Sequence, residues 1–104
     1  MTEAFNHLLV ELDGIATHRL ADADTLSAVV VAAAGAVGIP AHGPPVVHRS
    51  AQGIAVGLLG LDGHIVLHTS LPRAICLVDI VGRAPTDVAK AVEVIRRRLT
   101  GEPR

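Results

Sequence analysis

Six histidines in a chain of 104 residues, with a few carboxylates set among them, are the groups that could do chemistry here. His64 and His68 share one strand-like segment, His64-Ile65-Val66-Leu67-His68-Thr69. At the usual strand rise of about 3.3 Å per residue they stand about 13 Å apart, too far to share one metal ion. No cysteine pair or second paired-histidine motif offers further ligands, so no metal is expected. Imidazole moves protons near neutral pH, and His68 therefore suits a general acid or base, with Glu11 or Asp79 to orient it or to act as the second titrating group. A purely structural role is the competing assignment for each residue. His64 and His68 are then strand residues with satisfied ring nitrogens, Glu11 is solvated, and Asp79 is a buried carboxylate bonded to backbone near the second helix. Cys76, the single cysteine, reads as a small buried thiol.

Those residues must be positioned by one compact domain spanning 1–104. Half of the chain is hydrophobic and 18% is charged, which is too apolar for disorder and enough for one core. Phe5 is the one aromatic residue, so Val, Leu, Ile and Ala must fill that core. A formal net charge of -1 and the lack of stacking aromatics argue against nucleic acid as a partner. The longest apolar run, Ala28 to Ile39, is interrupted by two glycines and falls short of a bilayer. No signal peptide is visible at the N-terminus, and a cytoplasmic location without membrane contact is expected. A thin aliphatic core favours a homodimer or larger assembly to bury more surface.

Alternation over His7 to Leu12 predicts a strand with Leu8, Val10 and Leu12 on one side and His7, Leu9 and Glu11 on the other. Asp22 and Asp24 are N-cap candidates for a helix carrying Leu26, Val29, Val30, Ala33 and Val37, stopped by Gly38 and Pro40. Strands follow over Val46 to Arg49 and Gly53 to Leu61. Asp62-Gly63 marks a hairpin in which glycine would take a positive φ. His64 to Thr69 and Ala74 to Val81 are the next strands. A second helix begins at Thr86, with Val88, Val92, Ile95 and Leu99 as its apolar stripe, Arg96, Arg97 and Arg98 as a solvated end, and Gly101 and Pro103 as the stop. The order implies an α+β domain: an antiparallel sheet with two helices packed on one face. The other face is polar along His7 and Glu11, and carries either the His64 and His68 side of its strand or the opposite side.

Short ordered motifs add a family resemblance across His7 to Leu99. Asn6-His7-Leu8-Leu9-Val10-Glu11-Leu12 is similar to a His-Leu-x-x-Glu opening strand. His48-Arg49 followed by Gly53-Ile54 resembles a His-Arg-Phe…Gly-Val stretch. His64 to Thr69, with Asp79 beyond, resembles Ser-His-Leu-x-Ile-His-Thr-Trp-Pro-Glu…Asp. These are motifs of the small bacterial and archaeal S-adenosylmethionine decarboxylases, which cleave themselves before a serine and turn it into a pyruvoyl group. That group takes up the substrate's electrons as carbon dioxide leaves.

The resemblance places Gly63 at the serine, Asp62 at the preceding glutamate, Ala55 at a hydroxyl that assists processing and Arg83 or its neighbours at the catalytic cysteine. Ser50 falls on the adenine-stacking aromatic, and Ser70-Leu71-Pro72-Arg73 replaces the Trp-Pro-Glu segment. Glycine has no hydroxyl to attack the preceding carbonyl, so no cofactor is expected. The residues kept are His68, Glu11 and Asp79, assigned to catalysis, and His7 and His64, assigned with Ser70 to binding. The implied protein is a degenerate member that binds a small polar molecule or a partner, including pairing with an active paralogue. The alternative is a repurposed enzyme using His68 with Glu11 or Asp79 on a small polar substrate.

Overall fold

The computed structural model describes residues 4–101. Strand β1 (Phe5–Leu12) is followed by a one-turn helix α1 (Thr17–Leu20) and by helix α2 (Ala23–Val37). Strands β2 (Val46–Ser50), β3 (Gly53–Leu59), β4 (Gly63–Ser70) and β5 (Ile75–Arg83) come next, and helix α3 (Val88–Thr100) closes the order. The strands form one sheet in the order β1-β5-β4-β3-β2, each neighbouring pair antiparallel. This is the expected α+β arrangement, with α1 added between β1 and the first predicted helix.

Local chemistry explains the helix boundaries. The Asp22 carboxylate accepts hydrogen bonds from the backbone N–H of Asp24 and Thr25 at the start of α2, and Gly38 ends it at a φ of 76°. That left-handed turn suits a residue without a Cβ. Helix α3 starts at Val88, two residues beyond the expected Thr86, because Asp87 is the cap: its carboxylate accepts from Lys90 N–H. Thr86 instead donates its hydroxyl to the Arg83 carbonyl. Glu93 pairs with Arg96 and Arg97 along the exposed side of α3. The Arg19 guanidinium donates to the carbonyls of Arg98 and Leu99, so α1 helps satisfy the C-terminal end of α3.

Alternation decides which side chains enter the core. Ile54, Val56, Leu58, Ile65, Leu67, Cys76, Val78 and Ile80 point from the sheet toward the helices and are buried. They meet Leu26, Val29, Val30 and Ala33 of α2 and Ala91, Ile95 and Leu99 of α3 in one cluster. No charged or polar residue is buried among the described residues. No helix among them is long and apolar enough to cross a membrane.

Candidate functional site

The helix-free face of the sheet collects nearly every residue with chemical potential. Register places Glu11, Leu77, His68, Ala55 and His48 in one row across all five strands. The adjoining row holds Leu9, Asp79, Val66, Gly57 and Val46, and the next holds His7, Val81, His64 and Leu59. The open alternative for β4 is thereby decided: His64 and His68 share a face with His7 and Glu11. Asp79 joins them there and is about one-third exposed. The assignment of Asp79 as a buried carboxylate near the second helix is therefore corrected, since α3 packs on the other side of β5.

Asp79 is the centre of the tightest cluster. His7 Nε2 lies 2.7 Å from its Oδ1, and His64 Nε2 lies 3.5 Å from its Oδ2. A carboxylate only accepts, so His7 Nε2 carries the hydrogen in this bond. Both histidines oppose Val81 and reach Asp79 diagonally, the second-nearest approach in an antiparallel sheet. The carboxylate thus sits between imidazoles from β1 and β4, hydrogen-bonded to His7 and within ion-pairing distance of His64.

His68 makes no hydrogen bond or ion pair with either carboxylate assigned to it, although register sets it diagonal to Asp79 just as it sets His64. Leu77 lies between it and Glu11, which puts two strand spacings, about 10 Å, between their backbones. Asp79 is engaged by His7 and His64. What His68 does face is a groove of about 230 Å³ between β2, β3 and β4, shared with His48, Arg49 and Ser50 and floored by Ala55. Ser70 lies on the same face at the end of β4, opposite Ile75. Among the described residues no group of three or more His, Cys, Asp or Glu side chains is arranged to hold a metal.

Gly63 occupies a closed corner. It is not one of the positive-φ glycines among the described residues, which are Gly14, Gly38, Gly43 and Gly101, so the expected turn conformation is corrected. Gly63 is the first residue of β4 and pairs with Gly82. A Cβ built on it would run into the Val81 carbonyl oxygen and lie 3.0 Å from the Gly82 Cα. A Cβ on Gly82 would in turn strike the Thr86 side chain. Just outside this corner Arg83 donates to Asp62 at 2.8 Å, and its guanidinium sits 5.8 Å from the Phe5 ring centroid. Cys76 is far from it, buried on the core side, and loss of solvent pushes its thiol pKa up to about 12.

Two residues with a part in the site escaped sequence reasoning. His48 was noted only as part of a motif, although alternation along Val46 to Arg49 was the signal that it shares a face with Val46. Thr69 joins three elements: its hydroxyl accepts from Ile54 N–H at 2.9 Å and donates to the Leu20 carbonyl at 3.0 Å. It ties β4 to β3 and α1 directly beside His68.

The profile of the family described as S-adenosylmethionine decarboxylase matches residues 6–103. Among solved structures the chain resembles the crystal structure of the adenosylmethionine decarboxylase from Aquifex aeolicus VF5. The TM-score is 0.81 at 16% identity, covering 92% of this chain and 80% of that one. No curated protein matches the sequence significantly.

Proposed function

The chain belongs to the S-adenosylmethionine decarboxylase family, and on that premise we propose a non-processing member. It neither cleaves itself nor builds a pyruvoyl group, and it works as a small-molecule-binding subunit of a homo-oligomer in the cytoplasm. Gly63 carries this reading. A pyruvoyl group derives its three carbons from a serine backbone and Cβ, and its formation begins with attack by the serine oxygen. Gly63 has neither atom, and the Val81 carbonyl occupies the space a Cβ would need. The residues present do not fit the group. Ala55 supplies no assisting hydroxyl, and Arg83 is held by Asp62 where the family resemblance places a proton donor.

The oligomer proposal has its own support. Phe5, Leu9, Val46 and Leu59 are four of the six exposed large hydrophobic residues among those described, and all four lie on the helix-free face. Covering them with a second copy would remove apolar surface from water at about 25 cal/mol per Å². An active paralogue is the other partner this face would suit.

Acid–base chemistry is the second reading, and Asp79 favours it. A carboxylate hydrogen-bonded to one imidazole and close to a second resembles the support a general base needs, with His7 or His64 as the proton carrier in place of His68. To test the first reading, purified protein is incubated with carboxyl-labelled S-adenosylmethionine. No labelled carbon dioxide should be released, whereas a thermal-shift screen of polyamines, amino acids and adenosyl nucleosides should find a stabilising ligand. Release of carbon dioxide blocked by a carbonyl-trapping reagent would overturn the proposal.

A further inference from the structure

The dipeptide Asp-Gly occurs twice in the chain, at Asp13-Gly14 and at Asp62-Gly63. It has a chemistry of its own. The amide nitrogen of the second residue can attack the side-chain Cγ of the first, and glycine leaves that approach open because it lacks a Cβ. The two copies share a sequence but sit in opposite surroundings.

Asp13-Gly14 lies between β1 and α1, outside any strand or helix. Both residues are exposed. The Asp13 carboxylate makes no hydrogen bond or ion pair with any described residue, and the Gly14 N–H donates to none. Gly14 takes a φ of 69°, and apart from its chain neighbours nothing lies within 4 Å of where a Cβ would stand. Electrophile and nucleophile are adjacent and unheld.

Asp62-Gly63 differs at each point. Arg83 donates to Asp62 Oδ1 at 2.8 Å, which ties the carboxyl group to β5. Gly63 is the first residue of β4, paired with Gly82, and its carbonyl accepts from Gly60 N–H at 2.8 Å. The Val81 carbonyl crowds the corner. Closing a ring here means breaking the Arg83 bond and turning a peptide out of the strand ladder. The free energy of that local opening adds to the barrier of the reaction.

We propose that Asp13-Gly14 is a spontaneous modification site whose backbone isomerises to β-linked isoaspartate, whereas Arg83 and the β4 ladder hold Asp62-Gly63 inert. Gly14 N forms a bond to Asp13 Cγ and loses its proton, and a carboxyl oxygen leaves as water, giving a cyclic imide. Water then adds to one imide carbonyl. Opening at the Asp13 main-chain carbonyl leaves the chain running through Cγ, and opening at Cγ restores aspartate. Atoms balance without a co-reactant, and the mass is unchanged. The β-linked form adds one backbone carbon between Leu12, paired with Cys76, and Ile15, which is 3% exposed in the core. It also frees an α-carboxylate, the group that isoaspartyl carboxyl methyltransferases esterify.

The test incubates the purified full chain at neutral pH in heavy-oxygen water, native and in urea. Trypsin then releases the two bonds on separate peptides, one ending at Arg19 and one running from Ser50 to Arg73. Electron-transfer fragmentation scores isoaspartate and heavy oxygen in each. In native protein Asp13 should isomerise at least about tenfold faster than Asp62. In urea the two rates should converge, since sequence alone then governs. Arg83→Ala, shown to be folded by circular dichroism, should raise the Asp62 rate at least about threefold and leave the Asp13 rate unchanged. Isomerisation keeps the chain at its full mass, so it is not mistaken for self-cleavage. Equal rates in native protein, no isoaspartate at Asp13, a native-sized gap that persists in urea, or an Asp62 rate unmoved in folded Arg83→Ala would overturn the proposal.

Discussion

Gly63 and Gly82 face one another at the start of β4 and the end of β5, and the backbone around them leaves no volume for a side chain at position 63. Gly63→Ser is consequently not a simple restoration. It should destabilise the fold by about 1–3 kcal/mol, because the Val81 carbonyl must move to admit a Cβ. Urea denaturation of the two proteins measures this, and equal midpoints would show that the corner opens freely. Cys76 gives a second residue-level test. Burial raises its thiol from the ordinary 9.0 to about 12, so the folded state holds the proton that the unfolded state releases. Its contribution to stability is full below pH 9 and is lost as pH rises from 9 toward 12. Cys76→Ala should flatten that part of the stability profile, and native protein should resist thiol alkylation that denatured protein undergoes at once.

At the scale of the element, strand parity predicts opposite outcomes for neighbours. Leu67 is fully buried beneath α2, whereas His68 is exposed on the other face without a side-chain bond to any described residue. Leu67→Ala should cost about 2–5 kcal/mol and His68→Ala stay within about 0.5 kcal/mol, both read by chemical denaturation. Such parity was legible in the sequence because alternation in β1 and β4 is local. The caps of α2 were legible for the same reason: Asp22 and Gly38 act on their own turn. The start of α3 was less so, since Thr86 and Asp87 are both plausible caps, and the nearby Arg83 carbonyl takes up the Thr86 hydroxyl and leaves the Asp87 carboxylate to cap the helix. Helix α1 was missed because four residues carry no period, and its visible work, Arg19 on the end of α3, depends on a contact 79 residues away. The carboxylate cluster was hidden likewise: Asp79 meets His7 and His64 only through the β1–β5 and β4–β5 registers, which no local pattern fixes.

For the whole molecule, the two faces of the sheet divide the labour. One is closed by helices over an aliphatic core, and the other presents histidines, carboxylates and exposed Phe5, Leu9, Val46 and Leu59. If that face joins two copies, Leu9→Lys together with Leu59→Lys should shift the sedimentation mass from dimer to monomer while leaving the circular dichroism spectrum unchanged. A monomeric wild-type protein at micromolar concentration would remove the case for the interface. The retained fold and the unsuitable corner at Gly63 together define the central claim, that the architecture persists without its self-cleavage. Denaturing intact-mass spectrometry of freshly purified protein, and of the same sample after prolonged incubation, tests it most directly. The account predicts one uncleaved chain at both times; two fragments meeting at the Asp62–Gly63 bond would contradict it.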